Sequence, residues 1–316
     1  MGLPSSDRSL QPAAPKLGIV VVNFRSSELI ARNLAGIDWS AAPPSTVVLV
    51  DNYSSDSERR SITQLAQRHS WDLVATDANL GFAAGMNRGV ERAIEADCTN
   101  FLLLNPDVSI GSAALSRLFD FGLTHPKTLV SPRLHLPDGS AWFTNGWLDR
   151  RKGLAHAQAG SQQDGPDRWL TGACLLIDRD SWELLGGFDE RYFLYWEDVD
   201  LSQRLLELGG DLRILTSVSA VHSEGGTQRA SGKSSRYCFY MCRNRLLFAA
   251  VHLPVRDRFR WLWHAPAYAR RVVLADGRRG LLRHPWHVPA ALAGTVAGLG
   301  TLIASVRWRA PRAVPA

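Results

Sequence analysis

The sequence predicts an α/β fold, in which helices flank a mainly parallel sheet. Three observations support this prediction. Apolar β-branched runs alternate with amphipathic segments over the first hundred residues, and successive predicted strands end in Asn or Asp. The chain is 45% hydrophobic and 21% charged over 316 residues, which is enough to bury a large core. Alternating strands and helices form βαβ units, so we expect an α/β sandwich.

The first predicted strand, 17–23, is a continuous apolar run of the kind that is buried on both faces of a sheet. The helix after it begins near Ser26 or Ser27, since either hydroxyl can cap its N-terminus. The pattern then repeats. It predicts strands at 46–50, 71–75 and 100–104, with helices at 57–68 and 82–96 between them.

The second half of the chain is less regular. Residues 135–167 are rich in Gly, Asp and Gln and are predicted to form loops with short hairpins, a common place for an acceptor-binding lid. Order returns with strands at 173–178 and 218–221 and helices at 181–185 and from 197 onward. We expect a disordered segment at 1–16, one large domain at 17–250 and a helical region at 251–316.

Polar residues stand at the ends of three predicted strands. These ends are Asn23, Asp51-Asn52 and Asn105-Pro106-Asp107. Ligands of α/β sheets bind beyond the carboxyl ends of the strands. The sequence therefore predicts a binding site at this edge of the sheet.

Several classes of protein are excluded by what the sequence lacks. The four cysteines form no CxxC pair and have no zinc-site spacing, so a disulfide scaffold or a structural zinc module is not expected. The first strand is followed by Asn23-Phe24-Arg25-Ser26-Ser27, without the glycines of a dinucleotide-binding loop. No GxxxxGK[ST] phosphate loop occurs either.

The C-terminal part of the chain is strongly basic. Residues 243–316 hold thirteen arginines and two acids, a net charge of +11, so the first 242 residues carry −5. Residues 288–306 are uncharged, and arginines alternate with aromatic residues at 256–263. An anionic membrane surface is the predicted partner, by interfacial attachment; a weak span and a soluble helical subdomain remain alternatives. Nucleic acid is not predicted, because no nucleic-acid motif accompanies the charge.

The densest cluster of functional side chains lies at 187–201. The helix predicted from Glu197 continues the apolar stripe of Leu201 and Leu205, so Glu197 and Asp198 should face the interior. The aromatic Trp196 before them predicts a walled pocket, although acids also favour helix N-termini for their own sake. Asp200 is expected to make an exposed ion pair with Arg204, four residues on.

His222 closes the last predicted strand and precedes a glycine-rich loop. A single histidine at such a place is commonly a packed structural residue. Together with Asp107 it could instead complete an oxygen-rich Mg²⁺ or Mn²⁺ site that shares a diphosphate.

In order, these motifs resemble the family 2 glycosyltransferases with a GT-A fold, and most closely the bacterial rhamnosyltransferases. The matching runs are VVVNF at 20–24, VDNYSSD at 50–56, NLGFAAGMNRG at 79–89, Asn105-Pro106-Asp107 and Trp196-Glu197-Asp198. The resemblance covers roughly residues 17 to 250. It implies a Rossmann-like mixed sheet flanked by helices, with a basic helical extension.

The resemblance also implies roles for individual residues. The nucleotide sugar is expected to contact Asn23, Asp51, Asn52, Asp56, Asn79, Gly81 and Asn87, with Asp51 on a pyrimidine base. Asp107 and His222 would hold Mg²⁺ or Mn²⁺, Asp198 with Glu197 would be catalytic, and Trp196 and Gly172 would contact the acceptor. The family's Asp-x-Asp begins with Asn105 here, which removes one negative charge.

The predicted function is transfer of a sugar, L-rhamnose from dTDP-rhamnose, to a glycan or polyprenyl-diphosphate-linked acceptor with inversion. A UDP-sugar donor, or a non-catalytic nucleotide-sugar-binding or membrane scaffold protein, are the alternatives. No secretory signal is seen in the Pro- and Ser-rich start. The expected location is the cytoplasm, at the inner face of the plasma membrane.

Overall fold

A nine-stranded mixed sheet forms the centre of the molecule, and a three-stranded sheet lies beside it. The structure, a computed structural model, describes residues 14–158, 165–223 and 233–307. Of the segment predicted to be disordered, 1–16, residues 1–13 lie outside these ranges. The strands are β1 (Leu17–Asn23), β2 (Ser45–Asp51), β3 (Asp72–Ala75), β4 (Asn100–Leu104), β5 (Val108–Ser109), β6 (Thr128–His135), β7 (Ala141–Phe143), β8 (Asn145–Asp149), β9 (Leu154–Gln158), β10 (Arg168–Trp169), β11 (Cys174–Asp178) and β12 (Asp211–His222).

Helices cover the sheet and continue beyond it to the C-terminal part of the chain. They are α1 (Ser27–Ala35), α2 (Asp56–His69), α3 (Phe82–Glu95), α4 (Ser112–Thr124), α5 (Arg179–Leu185), α6 (Glu197–Glu207), α7 (Ser235–His252), α8 (Val255–Trp263), α9 (Ala265–Val273), α10 (Gly277–Arg283) and α11 (His287–Arg307). The predicted alternation of strands and helices up to residue 104 is confirmed.

The N-terminal half of the main sheet is parallel, in the order β3-β2-β1-β4. All seven residues of β1 are buried, which explains why its sequence is apolar without alternation. The register joins Asn23 to Asp51, so both strands end at the same level. This register brings the polar strand ends together at one edge of the sheet.

The sheet changes direction after β4. β11 pairs antiparallel with β4, and β6, β12 and β5 follow in that order. The expected hairpins within 135–167 are β7, β8 and β9, and β8 pairs with β9 and β10 in the smaller sheet. Residues 159–164 lie outside the described part. β5 pairs with the last two residues of β12, which places Val108 opposite His222.

The C-terminal helices pack against the α/β part through buried polar contacts as well as apolar ones. The guanidinium of Arg245, on α7, is buried and donates to the carbonyl oxygens of Lys152, Gly153 and Trp261. It also lies over the rings of Trp261 and Tyr268. Burial lowers the pKa of Arg245 to about 10. Helix α7 therefore ties the smaller sheet to α8 and α9, and it crosses the predicted boundary at residue 250.

Helix α11 packs against α7, and small residues of α11 lie at the contact. A Cβ atom added to Gly294 would overlap the carbonyl oxygen of Phe239, and one added to Gly298 would come within 2.9 Å of the carbonyl oxygen of Arg243. In the described part of the chain, 287–304 is the one helical segment long and apolar enough to cross a membrane, with 28% of it buried. The GxxxG face therefore packs inside the protein.

Candidate active site

The ends of β1 and β2 form one wall of the candidate site. The backbone N–H of Asn52 donates to the carbonyl oxygen of Asn23 at 3.0 Å. The Asn23 side chain accepts from the N–H of Ser26 at 3.0 Å, while its Nδ2 is buried with no partner within the described residues. Arg59 Nε donates to Asp51 Oδ2 at 2.7 Å, whereas Asp51 Oδ1 is buried without such a partner. Buried polar atoms of this kind are costly unless a ligand satisfies them.

Asp56 and Asn79 flank this wall. Asp56 is exposed at the start of α2, where its Oδ1 accepts from the hydroxyl of Tyr53 at 3.2 Å. Asn79 Oδ1 accepts from the N–H of Gly81 at 2.9 Å, which forms a local turn. Asp56 therefore keeps acceptor capacity toward solvent, and Asn79 shapes the loop before α3.

Asn52 holds that loop rather than leaving its side chain free for a ligand. Its Oδ1 accepts from the N–H of Leu80 at 2.8 Å, and its Nδ2 donates to the carbonyl oxygen of Gly81 at 2.7 Å. Both polar atoms of the buried amide are thus engaged by the chain. Asn52 therefore fixes the backbone of residues 80–81.

Gly81 occupies a position that no other residue fits. Its φ is +88°, and an added Cβ would overlap the carbonyl oxygen and ring of Phe193. The next residue, Phe82, donates its N–H to the same carbonyl at 2.7 Å. The start of α3 is therefore fixed against the loop that precedes α6.

We expect Gly81→Ala to lower the free energy of unfolding by about 1–3 kcal/mol, because it combines an unfavourable φ with a steric overlap. The matched control is Gly36→Ala, since Gly36 has φ −80° and nothing within 4 Å of an added Cβ. Denaturant unfolding of both variants measures the difference. Equal midpoints would show that the loop relaxes without cost.

The structure gives Asn87 a different role from the predicted contact with diphosphate. Its Nδ2 donates to the carbonyl oxygen of Phe188 at 2.9 Å and to Glu190 Oε1 at 3.1 Å, and its Oδ1 accepts from the N–H of Phe188 at 2.9 Å. These bonds occupy both polar atoms of the side chain. Asn87 thus anchors the loop 187–190 to α3, a long-range contact that the motif alone could not indicate.

The acid pair begins α6. Asp198 is partly buried: its Oδ2 accepts from the N–H of Gly172 at 3.0 Å and its Oδ1 accepts from the N–H of Val199 at 2.8 Å. Desolvation raises the pKa of Asp198 to about 6, and the two N–H donors offset part of that rise. A carboxylate with this pKa is ionised at neutral pH and basic enough to accept a proton.

Glu197 is more deeply buried than Asp198. Its side chain is 6% exposed as a residue, and Oε2 has no hydrogen-bond partner within the described chain. Desolvation, and next the charge of Asp198, raise the pKa of Glu197 well above its ordinary value. The pair therefore favours a single negative charge, held by Asp198.

The predicted ion pair of Asp200 is present, but the prediction that it is exposed is wrong. Asp200 does pair with Arg204 Nε at 2.7 Å, but its side chain is fully buried, and its other oxygen contacts His252 Nε2 at 2.8 Å. Burial alone would raise the pKa of Asp200, yet the bonds from His252 and Arg204 hold it below its usual value. The sequence around Asp200 gives no sign of this burial because the covering residue, His252 on α7, lies 52 residues later in the chain.

The predicted acceptor wall at Trp196 also needs correction. The ring is 3% exposed and packs against Phe248 and Trp261, at centroid distances of 5.4 and 6.1 Å. Trp196 therefore faces the C-terminal helices and not an open cleft. Gly172, by contrast, lies next to Asp198: an added Cβ would stand 3.5 Å from Asp198 Cβ and 3.6 Å from the Phe82 ring.

Asp107 and His222 come together as predicted. His222 Nε2 lies 3.5 Å from Asp107 Oδ1, and the imidazole stacks on Trp142 with centroids 3.9 Å apart. The described residues contain no group of three or more His, Cys, Asp or Glu side chains that could hold a metal. A carboxylate and an imidazole fit a divalent cation whose remaining ligands are donor oxygens and water, so the pair suits a shared Mg²⁺ or Mn²⁺.

A series of short contacts connects these groups. The N–H of Asn105 donates to the carbonyl oxygen of Ala173 at 2.9 Å, and the N–H of the preceding residue, Gly172, donates to Asp198 Oδ2 at 3.0 Å. Hydrogen bonds thus link the end of β2 to the loop before α3, the start of α3 to the loop before α6, and the start of α6 to the segment next to Asn105. The sequence did not indicate Arg59 or Trp142, because nothing local marks the partner of a distant side chain.

A family model described as "Glycosyltransferase like family 2" matches residues 14–239. An N-acetylglucosaminyl-diphospho-decaprenol L-rhamnosyltransferase of Mycobacterium tuberculosis is 28% identical over 280 residues, which are 79% of this chain and 87% of that protein.

Solved structures share the fold at low identity. A Pyrobaculum calidifontis mannosyltransferase in complex with GDP-Man and Mn²⁺ gives a TM-score of 0.52 at 15% identity, over 92% of this chain and 88% of that one. GalNAc-T7 with UDP, GalNAc and Mn²⁺ gives 0.55 at 12% identity, over 83% of this chain and 58% of that one. Since the family model spans well over half of the chain, the chain belongs to the family 2-like glycosyltransferases, and it has the GT-A fold.

Proposed function

We propose that this glycosyltransferase moves L-rhamnose from dTDP-rhamnose to a hydroxyl of a glycan carried on a polyprenyl diphosphate. The observation that carries the proposal is the position of Asp198, a carboxylate with a raised pKa that accepts from the N–H of Gly172. The next residue, Ala173, accepts from the N–H of Asn105, two residues before Asp107, which pairs with His222. The relative named as acting on a decaprenol diphosphate with L-rhamnose supports this donor and acceptor.

The proposed mechanism is a direct displacement. Asp198 accepts the proton of the acceptor hydroxyl as the acceptor oxygen forms a bond to the anomeric carbon, and the bond from that carbon to the diphosphate oxygen breaks. The nucleoside diphosphate leaves, and the configuration at the anomeric carbon is inverted. Asp51 Oδ1 is available to accept from a pyrimidine N–H. Asp107 and His222 would hold Mg²⁺ or Mn²⁺, which when bound neutralises the charge of the leaving diphosphate.

A panel of nucleotide sugars tests the donor. Thermal unfolding of the purified chain with Mn²⁺ and dTDP-rhamnose, UDP-N-acetylglucosamine or UDP-galactofuranose should show stabilisation by the dTDP sugar, about 2.7 kcal/mol at a hundred times the Kd. Transfer of rhamnose to N-acetylglucosaminyl-diphospho-polyprenol should follow. A UDP sugar that stabilises more strongly and is transferred would replace rhamnose as the donor assignment.

We also propose that residues 17–250 form the transferase domain and that 251–316 attach it to an anionic membrane at the inner face of the plasma membrane. Large apolar side chains are exposed on α8, on α11 and next to these helices. Trp263 is 83% exposed and Trp286 is 75% exposed. Exposed arginines lie on α8, α9 and α10: Arg256, Arg270, Arg271, Arg278, Arg279 and Arg283. Tryptophan and arginine together suit the boundary between head groups and acyl chains.

We expect the full chain to co-sediment with vesicles that contain phosphatidylglycerol and to do so much less with pure phosphatidylcholine. The double change Trp263→Ser and Trp286→Ser should lower the bound fraction several-fold, because it removes two interfacial anchors. Leu184→Ser is the matched control, since Leu184 is 57% exposed on α5 of the α/β part. Equal binding of both variants would contradict the proposed surface.

A further inference from the structure

Two helices hold the loop 191–196, which leads into α6: the start of α3 on one side and α7 on the other. Phe193 accepts from the N–H of Phe82 at 2.7 Å, as described above. From α7, Arg243 Nη1 donates to the carbonyl oxygen of Arg191 at 2.8 Å, and the ring of Tyr240 stacks on that of Phe193 at 5.0 Å. The segment that presents the acid pair is thus fixed between α3 and α7.

This loop ends in a strained backbone. Tyr195 and Trp196 are consecutive non-glycine residues with φ of 70° and 75°, in the left-handed region. Such a conformation costs free energy and persists only where its surroundings impose it. It also sets the direction in which α6 begins, because Trp196 is the residue immediately before Glu197 and Asp198.

Asn244 contacts this strained segment directly. Its side chain is completely buried, and Nδ2 donates to the carbonyl oxygens of Leu194 at 2.9 Å and Tyr195 at 2.8 Å. Its Oδ1 accepts from Arg243 Nη1 at 2.7 Å, so Arg243 fixes the orientation of the amide. One amide therefore bridges two successive carbonyls at the turn into the catalytic helix.

We propose that Asn244 and Arg243 are positioning residues of the transfer reaction, holding the 194–196 backbone so that Asp198 meets the acceptor hydroxyl. The inference rests on the proposed role of Asp198 as the base. It assigns to α7, outside the acid motif, a part in the chemical step. A displacement of about 1 Å at the reacting group can lower a rate by about 10²-fold.

The test separates positioning from stability. Asn244→Ala should lower kcat by about 10²-fold, while the Kd for the donor with Mn²⁺ changes little, because Asp51 and Asp107 lie on other elements. Arg243→Ala, at a partly exposed side chain, should fold normally and lower kcat by a smaller factor. The double variant should lose less than the product of the two single losses, since Arg243 acts partly through Asn244.

Asn100→Ala is the matched control, a buried Asn at the opposite end of β4 from Asn105. It should reduce thermal stability and leave kcat near wild type. Wild-type kcat in Arg243→Ala together with wild-type kcat in a folded Asn244→Ala would overturn the inference, and so would an equal loss in Asn100→Ala. If Asn244→Ala does not fold, the kcat of Arg243→Ala decides alone. Full transfer by Asp198→Asn would instead refute the proposed base, which is a different result.

Discussion

Replacing Asp198 with Asn is expected to lower the rate of sugar transfer by about 10²- to 10⁴-fold, the range that a positioned general base contributes. The change keeps the size of the side chain and one acceptor, so Gly172 and Val199 retain a partial hydrogen-bond partner. The donor Kd should stay close to wild type because the Asp198 carboxylate accepts from the backbone N–H groups of Gly172 and Val199, which are not among the predicted donor contacts. Single-turnover transfer and a donor titration measure the two quantities separately.

Glu197→Gln is the matched control for this prediction. Desolvation and the charge of Asp198 raise the pKa of Glu197, which favours its protonated form, and a glutamine resembles that neutral form. We therefore expect Glu197→Gln to keep most of the activity. A severe loss in Glu197→Gln with near-normal turnover in Asp198→Asn would reverse the two roles.

The pH profile gives an independent check of the same assignment. The pKa of Asp198 is raised to about 6, so the base becomes ionised as the pH rises through that value. The rate should rise with pH through a midpoint near 6 and then level off. Because the folded-state pKa of Asp198 lies above its ordinary value, ionisation of this carboxyl lowers the free energy of unfolding. The loss is absent below the ordinary pKa, develops as the pH rises toward 6, and is complete above that value.

Much of the fold could be predicted because its signals are local. The buried run at 17–23 became β1 with the same bounds, and the helix predicted at 57–68 became α2 with bounds one residue wider at each end. The serines at 26 and 27 marked the start of α1, although the Ser26 side chain makes no capping hydrogen bond. The convergence of the strand ends followed from the parallel register. These features depend on neighbours in sequence, and periodicity reports them.

What could not be predicted depends on contacts between distant parts of the chain. Asn52 and Asn87 carry the expected motif, yet their amides hold the loops at 80–81 and 188–190. The sequence predicted that Trp196 forms the wall of a site and that Asp200 lies at the surface. In the structure residues of α7 pack on both. An amide or a carboxylate has the same local signal whether it binds a ligand or a backbone, so only the tertiary structure separates the two roles.

Asp107 should control the part of donor affinity that depends on metal. We expect Asp107→Asn to weaken binding of dTDP-rhamnose with Mn²⁺ by at least about tenfold, since removal of a carboxylate leaves His222 as the remaining member of the pair. Calorimetric titration with Mn²⁺ and with a chelator measures the metal-dependent share. Asp120→Asn, an exposed carboxylate on α4, is the control and should match wild type in both conditions.

Two outcomes of that titration would contradict the metal assignment. Identical wild-type affinities with and without chelator would mean that side chains alone neutralise the diphosphate. An Asp107→Asn variant that keeps the full response to Mn²⁺ would place the cation elsewhere. The effect of Asp107 should be large here because the residue two positions earlier is Asn105, which supplies no charge. In a chain with carboxylates at both positions a second negative charge would remain, whereas here the single change removes the one carboxylate charge and leaves only the weaker amide oxygen as a donor.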